Sequence, residues 1–373
     1  MTSRAPGMKA PSPERRVAAV TRSVIFAIPG DLSLPTGGYA YDRRVLALAD
    51  AHCLSMRHLA LPGSYPQPTP IDLAETARLI ATAPTDAILM IDGLAYGAMP
   101  IDLIRNFNRP VVALVHHPLG LESGLSDERR EAFIASERAA LSLADEIIVT
   151  SPLTARVLIE EFAAPQAKIT VAEPGVDPMR RAQGGMSERL QLLAVGSIVP
   201  RKGYDVLIEA LATLADRDWA LTIAGADDRA PQATALLRKL INAHRLSERV
   251  ILRGAVSEDE LAALYDRADL FVMSSRYEGY GMALAEAMAC GLPIVATTGG
   301  AAAETVPDGA GLKVAPDNAP ALAAAIAQAL DDRSLRERLA DAAWSAGQTL
   351  PRWDDTAARI ASALAKVMLE RKA

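Results

Sequence analysis

Short apolar, β-branched runs alternate with helical patterns along almost the whole chain, and the alternation runs through twice. In the first half the candidate strands are Val24–Ile28, Met56–Leu61, Ala87–Ile91, Val111–Val115, Glu146–Thr150 and Ile169–Ala172. Between them lie helical stretches at Tyr39–His52, Asp72–Thr82, Asp127–Leu143 and Pro152–Phe162. The strands are continuous apolar runs, as expected when both faces of a parallel sheet are covered by helices. The rhythm stops at Glu173-Pro-Gly-Val-Asp-Pro and the polar stretch Arg180–Glu188, which read as a linker. It restarts with strands at Leu190–Val195, Ala220–Ala224, Val250–Leu252, Leu270–Met273 and Ile294–Ala296. The helices of this half fit Tyr204–Leu214, Pro231–His244, Glu258–Arg267 and Met282–Ala289. From Ala319 the chain is helical to its end, with Pro351 as a break before a last helix near Asp354–Arg371.

The expectation is an α/β protein of two doubly wound, Rossmann-like domains facing across a cleft, at 21–187 and 188–352. Residues 353–373 form a closing helix, and 1–20, rich in Pro, Ala, Arg and Ser, form a disordered N-terminus without a signal-peptide run. Ligands of such sheets sit beyond the carboxyl ends of the strands, which places a site in the cleft.

Charge narrows the partners. The net charge is −6, with 18 basic against 20 acidic residues before Gly185 and 21 against 25 after it. Neither half offers the basic face that nucleic-acid binding needs, so no nucleic acid is expected. Arg15, Arg16, Arg22, Arg43 and Arg44 read as ordinary solvated surface. No apolar run reaches the length of a membrane span. Cys53 and Cys290 read as two buried small hydrophobes, in keeping with a reducing, cytoplasmic setting.

The segment from Ser274 to Gly300 carries the chemistry. Ser274-Ser-Arg-Tyr-Glu-Gly-Tyr-Gly-Met joins a strand to a helix, and Glu278 and Glu286 stand with seven residues between them. A helix starting near Gly281 offers backbone N–H groups to an anion, and Gly279 and Gly281 permit close approach of a ligand. Eight helical positions span about 12 Å, the scale of a sugar and a ribose separated by two phosphates. Two further places bear on a cleft. Gly37 and Gly38 open the first helix after the loop Pro29–Thr36, where a G-x-G-x-x-G fingerprint is missing. His116 and His117 end a strand and must point to opposite faces. Asp216-Arg-Asp218 precedes a strand and reads as a solvated loop. His52, His58 and His244 have no companion ligands.

On these residues the chain resembles the retaining GT-B glycosyltransferases of family 4, the group 1 glycosyl transferases. Besides Ser274–Gly300, the stretch Val195-Gly196-Ser197-Ile198-Val199-Pro200-Arg201-Lys202-Gly203 is similar to the family's loop after the first strand of the C-terminal domain. Leu252-Arg253-Gly254-Ala255-Val256 resembles its loop near the nucleotide base, and Trp353–Leu369 its helix that crosses back to the N-terminal domain. The resemblance implies transfer of a sugar from a UDP- or GDP-sugar to a hydroxyl acceptor, with retention and without a metal or cofactor. It implies an acceptor-binding N-terminal domain and a donor-binding C-terminal one. The acceptor class it suggests is lipid-linked or polysaccharide, with peripheral contact at the inner membrane face left open, as is the oligomeric state. Alternatives are another GT-B activity, an epimerase or phosphorylase, or a non-catalytic sugar-nucleotide scaffold.

Carried onto this chain, the family pattern gives catalytic roles to Glu278, Lys202 and one of His116 and His117. Glu278 would hold donor-sugar hydroxyls, Glu286 the ribose, and Lys202 the diphosphate, with Gly37, Gly38, Gly196, Arg253, Gly254, Gly279, Tyr280, Gly281 and Met282 lining the donor. One position departs: many relatives carry arginine where Ser197 stands, and Arg201 is the candidate for the second cation.

Overall fold

The computed structural model describes residues 22–185 and 188–370, so the expected disordered stretch 1–20, with Arg15 and Arg16, lies outside the described residues. Two parallel six-stranded sheets form the frame. The first contains β1 (Arg22–Pro29), β2 (Leu54–Leu61), β3 (Ile88–Asp92), β4 (Val111–Val115), β5 (Glu146–Val149) and β6 (Ile169–Val171), in the order β2-β1-β3-β4-β5-β6. The second contains β7 (Leu190–Val195), β8 (Trp219–Ala224), β9 (Val250–Gly254), β10 (Leu270–Met273), β11 (Ile294–Thr297) and β12 (Gly311–Val314), in the order β12-β11-β10-β7-β8-β9.

Both orders reverse direction once, between β1 and β3 in the first sheet and between β7 and β10 in the second. Loops leaving neighbouring strands at such a point diverge to opposite faces and open a crevice at the strands' carboxyl ends. The sequence places its glycine-rich loops there: 30–36 follows β1, 196–203 follows β7 and 274–281 follows β10.

The continuous apolar runs do cover both faces. In the first sheet Ile25, Leu89, Ile91, Ala113 and Val115 pack on Ile80, Leu141 and Leu158. The alternate residues Val24, Phe26, Met90 and Leu114 pack on Tyr41 and Val45 of the first helix, Gly37–Leu48, and on Ile360, Leu364 and Val367. Those last three belong to the closing helix Trp353–Glu370, which therefore completes the core of the N-terminal half. Its start is fixed by Trp353 edge-on to Tyr41 (centroids 5.7 Å), and further along Lys366 reaches Glu146 at 2.8 Å. Gly175 lies so close beneath it that a Cβ there would meet the Trp353 nitrogen at 2.1 Å.

Four details differ from the sequence reading. β12 is an additional edge strand, half-exposed along its length, whose Gly-Leu-Lys-Val is too short for a periodic signal. Two short helices, Gly93–Tyr96 and Ile101–Arg105, follow β3. The C-terminal helical region breaks first at Asp332, whose side chain caps Arg333–Gly347 through the Leu335 amide. Cys53 is exposed rather than buried: it ends a turn of 3₁₀ helix with φ 58°, which directs its side chain outward, while Cys290 is buried. Among the described residues no helix is long and apolar enough to cross a membrane.

Leu364 is fully buried between the closing helix and the first sheet. Leu364→Ala should destabilise the protein by about 2–5 kcal/mol, read as a lower denaturant midpoint. An unchanged midpoint would show that the closing helix is not part of the cooperative core.

Candidate active site

Three backbone-level contacts bring the glycine-rich loops together. Gly203, at φ 61°, ends the 3₁₀ turn Pro200–Lys202, and the Ser274 carbonyl fills the space its side chain would take, 2.2 Å from an added Cβ. The Ser274 hydroxyl donates to the Lys202 carbonyl at 2.9 Å, and the Arg276 amide donates to the Arg201 carbonyl at 2.7 Å. The two loops flanking the β7/β10 crevice are thus one laced unit.

Glu278 sits at its centre, 6% exposed. Its Oε1 accepts from the Lys202 ammonium at 2.7 Å and the Ser275 hydroxyl at 2.5 Å, and its Oε2 from Arg201 at 3.3 Å. Burial alone would raise the Glu278 pKa, but Lys202 and Arg201 outweigh it and hold the carboxylate at about 2. The Lys202 pKa is lowered, because burial outweighs its attraction to Glu278. Arg201 also donates to the Tyr277 carbonyl at 2.7 Å and approaches Glu122 of the N-terminal half at 3.7 Å. Arg201 therefore stands in the cluster with Lys202. Gly196 belongs to it as well, since a Cβ there would meet the Lys202 side chain at 2.7 Å. Ser197, next along, is half-buried.

The helix Met282–Ala289 begins at Gly281 with φ 94° and no capping side chain, so its first amides remain available to an anion. Tyr280 is buried under this turn, against Val176 and Ala285. Half-buried Glu286 accepts from the Tyr265 hydroxyl at 2.8 Å. Burial pushes Glu286 up to about 7, with Tyr265 pulling it the other way.

The N-terminal half meets this surface closely. Gly279 has no room for a side chain: an added Cβ would lie 2.2 Å from the His116 carbonyl oxygen. The close approach expected of a ligand at Gly279 is thus made by the protein's own backbone. Gly37 faces the Met282 sulfur, 3.8 Å from an added Cβ, and Gly38 packs on the His116 ring. Thr154 donates to the Gly279 carbonyl at 3.3 Å, and Arg156 pairs with Glu304 across the two halves.

His116 and His117 point apart. His116 turns into the N-terminal half, its Nε2–H donating to Asp42 at 3.0 Å with Asp92 at 3.6 Å. His117 turns to the C-terminal half and lies against Tyr277, ring centroids 4.8 Å apart. Burial, helped by Arg201, lowers its pKa to about 3, so it is neutral. Asp42, Asp92, Ser275, Tyr277, Glu122 and Tyr265 all escaped the sequence reading. Ser275, Tyr277 and Glu122 stood inside or beside the stretches singled out, but without a role. Arg253 is largely on the surface, paired with Glu260 at 2.6 Å, and is not drawn into the Glu278 cluster; Gly254 turns the chain beside it at φ 71°. Arg43 binds the carbonyls of Leu32 and Leu34, and Arg44 pairs with Asp177, so these two serve the fold rather than a free basic edge. Asp216 and Asp218 make surface pairs with Arg217 and Arg189.

A fold of two facing Rossmann-like domains, with a carboxylate-bound lysine and arginine at the switch point of the second, defines a GT-B protein. Two family models match end to end: Glycosyltransferase Family 4 over residues 38–180 and Glycosyl transferases group 1 over 177–345. The chain belongs to this glycosyltransferase family. It is 34% identical over 174 residues to the mannosylfructose-phosphate synthase of Agrobacterium fabrum, covering 42% of this chain and 38% of that protein. Among solved structures it resembles sucrose-phosphate synthase from Thermosynechococcus elongatus, with TM-score 0.80, 22% identity, and coverage of 93% of this chain and 100% of that one. It also resembles Anabaena HepE in complex with UDP and glucose, with TM-score 0.72, 19% identity, and coverage of 91% and 99%.

The two glutamates should behave oppositely with pH. Glu278 is held below its ordinary value, so its contribution is present above pH 4.5 and lost as pH falls toward 2. Glu286 is held above it, so the stability tied to its proton is present below pH 4.5 and lost as pH rises through about 7. Relative to wild type, Glu286→Gln should therefore gain about 1–2 kcal/mol on going from pH 5 to pH 8. Glu278→Gln should lose about 3–5 kcal/mol at pH 7 by leaving Lys202 buried without its counter-charge. Denaturant midpoints of the three proteins at about pH 5, 7 and 8 check this, and parallel behaviour of the two variants would contradict it.

Proposed function

We propose that this chain is a retaining glycosyltransferase that moves a sugar from a UDP- or GDP-sugar to a hydroxyl acceptor. The observation that carries the reading is the charge of the cluster at the β7/β10 switch point. One buried carboxylate, Glu278, is held by two cations, Lys202 and Arg201, beside an uncapped helix start. Two cations and the amides of the helix start suit a diphosphate whose charge grows as the glycosidic bond breaks. Arg201 then supplies the second cation that Ser197 does not. Family membership supports the same activity, and the complex of HepE with UDP and glucose supports a nucleotide-sugar donor.

Glu278, ionised and acceptor-only, orients donor-sugar hydroxyls, and Glu286 takes the ribose hydroxyls from the far end of the turn. A carboxylate with a pKa near 2 and both oxygens committed is a poor base and a poor nucleophile. The departing phosphate oxygen is left as the group that accepts the acceptor's proton. It does so from the face it leaves, which gives retention. Because Lys202, Arg201 and the helix start supply the charge neutralisation, transfer should not need a divalent ion. The acceptor is assigned to the N-terminal face of the cleft, near the loop 30–36, with lipid-linked and polysaccharide hydroxyls as the classes to try first.

A thermal-shift screen against nucleotide sugars is the first test. A donor present at 100 times its Kd adds about 2.7 kcal/mol of stability. Stabilisation by no nucleotide or nucleotide sugar would sink the reading. With a donor found, Lys202→Ala should lower kcat about 10²–10³-fold, Glu278→Ala should abolish product, and Glu286→Ala should mainly weaken donor binding. Excess chelator should leave turnover unchanged; a complete loss restored by manganese would overturn the metal-independent mechanism.

A further inference from the structure

Beneath the glycine turn that opens the first helix, three polar side chains from three elements converge inside the N-terminal half. Asp42 comes from the helix Gly37–Leu48, Asp92 from the end of β3, and His116 from the residue after β4. Asp42 is fully buried and Asp92 is 4% exposed. Ligating atoms of Asp42, Asp92 and His116 all lie within 4.8 Å of one another. Two carboxylates this close inside a core repel each other unless something positive lies between them. Here that something is the His116 ring, with Nε2 at 3.0 Å from Asp42 and 3.6 Å from Asp92. Since a carboxylate can only accept, Nε2 carries a proton and donates it to Asp42.

The ring is also fixed sterically. Tyr41 meets it edge-on with centroids 5.1 Å apart, and Gly38 lies against its Cδ2. The His116 carbonyl accepts from Thr150 at 3.3 Å and abuts Gly279 across the cleft. Among the described residues its other nitrogen, Nδ1, has no hydrogen-bond partner, and it is not among the enclosed polar atoms. The Nε2–Cδ2 edge of the ring is therefore anchored against Asp42 and Gly38, and the Nδ1 corner is left free beside the backbone that abuts Gly279 across the cleft.

We propose that Asp42 and Asp92 are positioning residues that anchor His116 by Nε2 and present its Nδ1–H as a fixed donor to an oxygen bound in the cleft. This deepens the transferase reading and rests on it for the oxygen's identity. The arrangement is that of a carboxylate-oriented histidine, where a hydrogen bond at one ring nitrogen fixes what the other nitrogen can do. Burial works against charge on His116, but Asp42 and then Asp92 outweigh it and raise its pKa. Asp92 is itself raised to about 7, by burial and by Asp42, so the three side chains share protons. Of the other titratable groups facing this cluster, Tyr39 donates to the Pro29 carbonyl at 2.6 Å, Tyr41 donates to the Ala172 carbonyl at 2.9 Å, and burial lowers the His58 pKa. None of these three supplies a competing charge.

The chain has five histidines, so each ring can be followed by NMR in the full-length protein. His116 should titrate above the ordinary value near 6.5. In Asp42→Asn, and separately in Asp92→Asn, its midpoint should fall by about one unit or more, a tenfold loss of proton affinity, while the other four rings keep their shifts as the check on folding. In turnover, the alkaline limb of kcat/KM should move to lower pH by the same amount in both variants, with the donor KM little changed. An unmoved His116 midpoint in both folded variants overturns the proposal. So does a moved midpoint with an unmoved limb, which would make the aspartates purely structural. Tight stoichiometric zinc binding that Asp42→Asn abolishes would also overturn it, by showing the three side chains to be a metal site. The titration needs no substrate, so failure to find a donor would count against the transferase reading while the NMR measurement still judged the anchoring of His116.

Discussion

The ion pair between Glu278 and Lys202 is the contact on which the rest of this molecule's cleft depends. Removing two charges from water costs several kcal/mol per ion, and their attraction offsets this only with good geometry and further hydrogen bonds. Both conditions are met here: Lys202 lies 2.7 Å from the carboxylate, Ser275 shares its Oε1, and Arg201 reaches its Oε2, which keeps a free acceptor site. The pair joins a residue from the loop after β7 to one from the loop after β10. It therefore spans the crevice that the strand order opens, and it fixes the distance between the crevice walls. Burial has lowered the proton affinity of the lysine, and the cations have lowered that of the glutamate. Each partner is kept charged by the other, which makes the site an all-or-none electrostatic unit.

That unit also governs how the two halves meet. Arg201 is shared between Glu278, on its own half, and Glu122, on the other. The Gly279 turn, one residue from Glu278, lies against the His116 carbonyl with no room for a side chain. A diphosphate arriving at Lys202 and Arg201 would draw on the same charges that now serve these contacts. Arg201 and the backbone at Gly279 thus tie the charged cluster of one half to the other half.

The frame was legible because it rests on repeated patterns. Both runs of strands, the linker region and the closing helix announce themselves through periodicity and punctuation, and the glycine-rich loops fall at the strand ends where a doubly wound sheet binds ligands. Pairwise geometry was not legible. Asp42 and Asp92 are single acids in unremarkable surroundings, separated by 50 positions, and only the order β2-β1-β3-β4 carries them to the same spot. Tyr265 looks like one more apolar residue of its helix until its hydroxyl is seen on Glu286. Cys53 was misread because its neighbours are helical, whereas its own φ of 58° turns it outward. Gly279 was read as leaving space for a ligand, yet its space is filled by the other half of the chain. Cys53 apart, the missing information is a contact between distant segments, which no local pattern encodes.

The two adjacent histidines show what such contacts decide. Their chemistry is identical, and just past the end of β4 their side chains leave to opposite sides. His117 enters a site beside Arg201, where burial and a neighbouring cation both oppose a second proton, and its pKa falls to about 3. His116 enters a site between two aspartates, where the same burial is outweighed and its proton is held. His117 is therefore a neutral packing partner of Tyr277, and His116 a ring anchored between two aspartates. Exchanging the roles would require moving the aspartates or Arg201, not the histidines. The functional distinction between them thus resides in the residues that face them, and those residues are the ones the fold, rather than the local sequence, brings together.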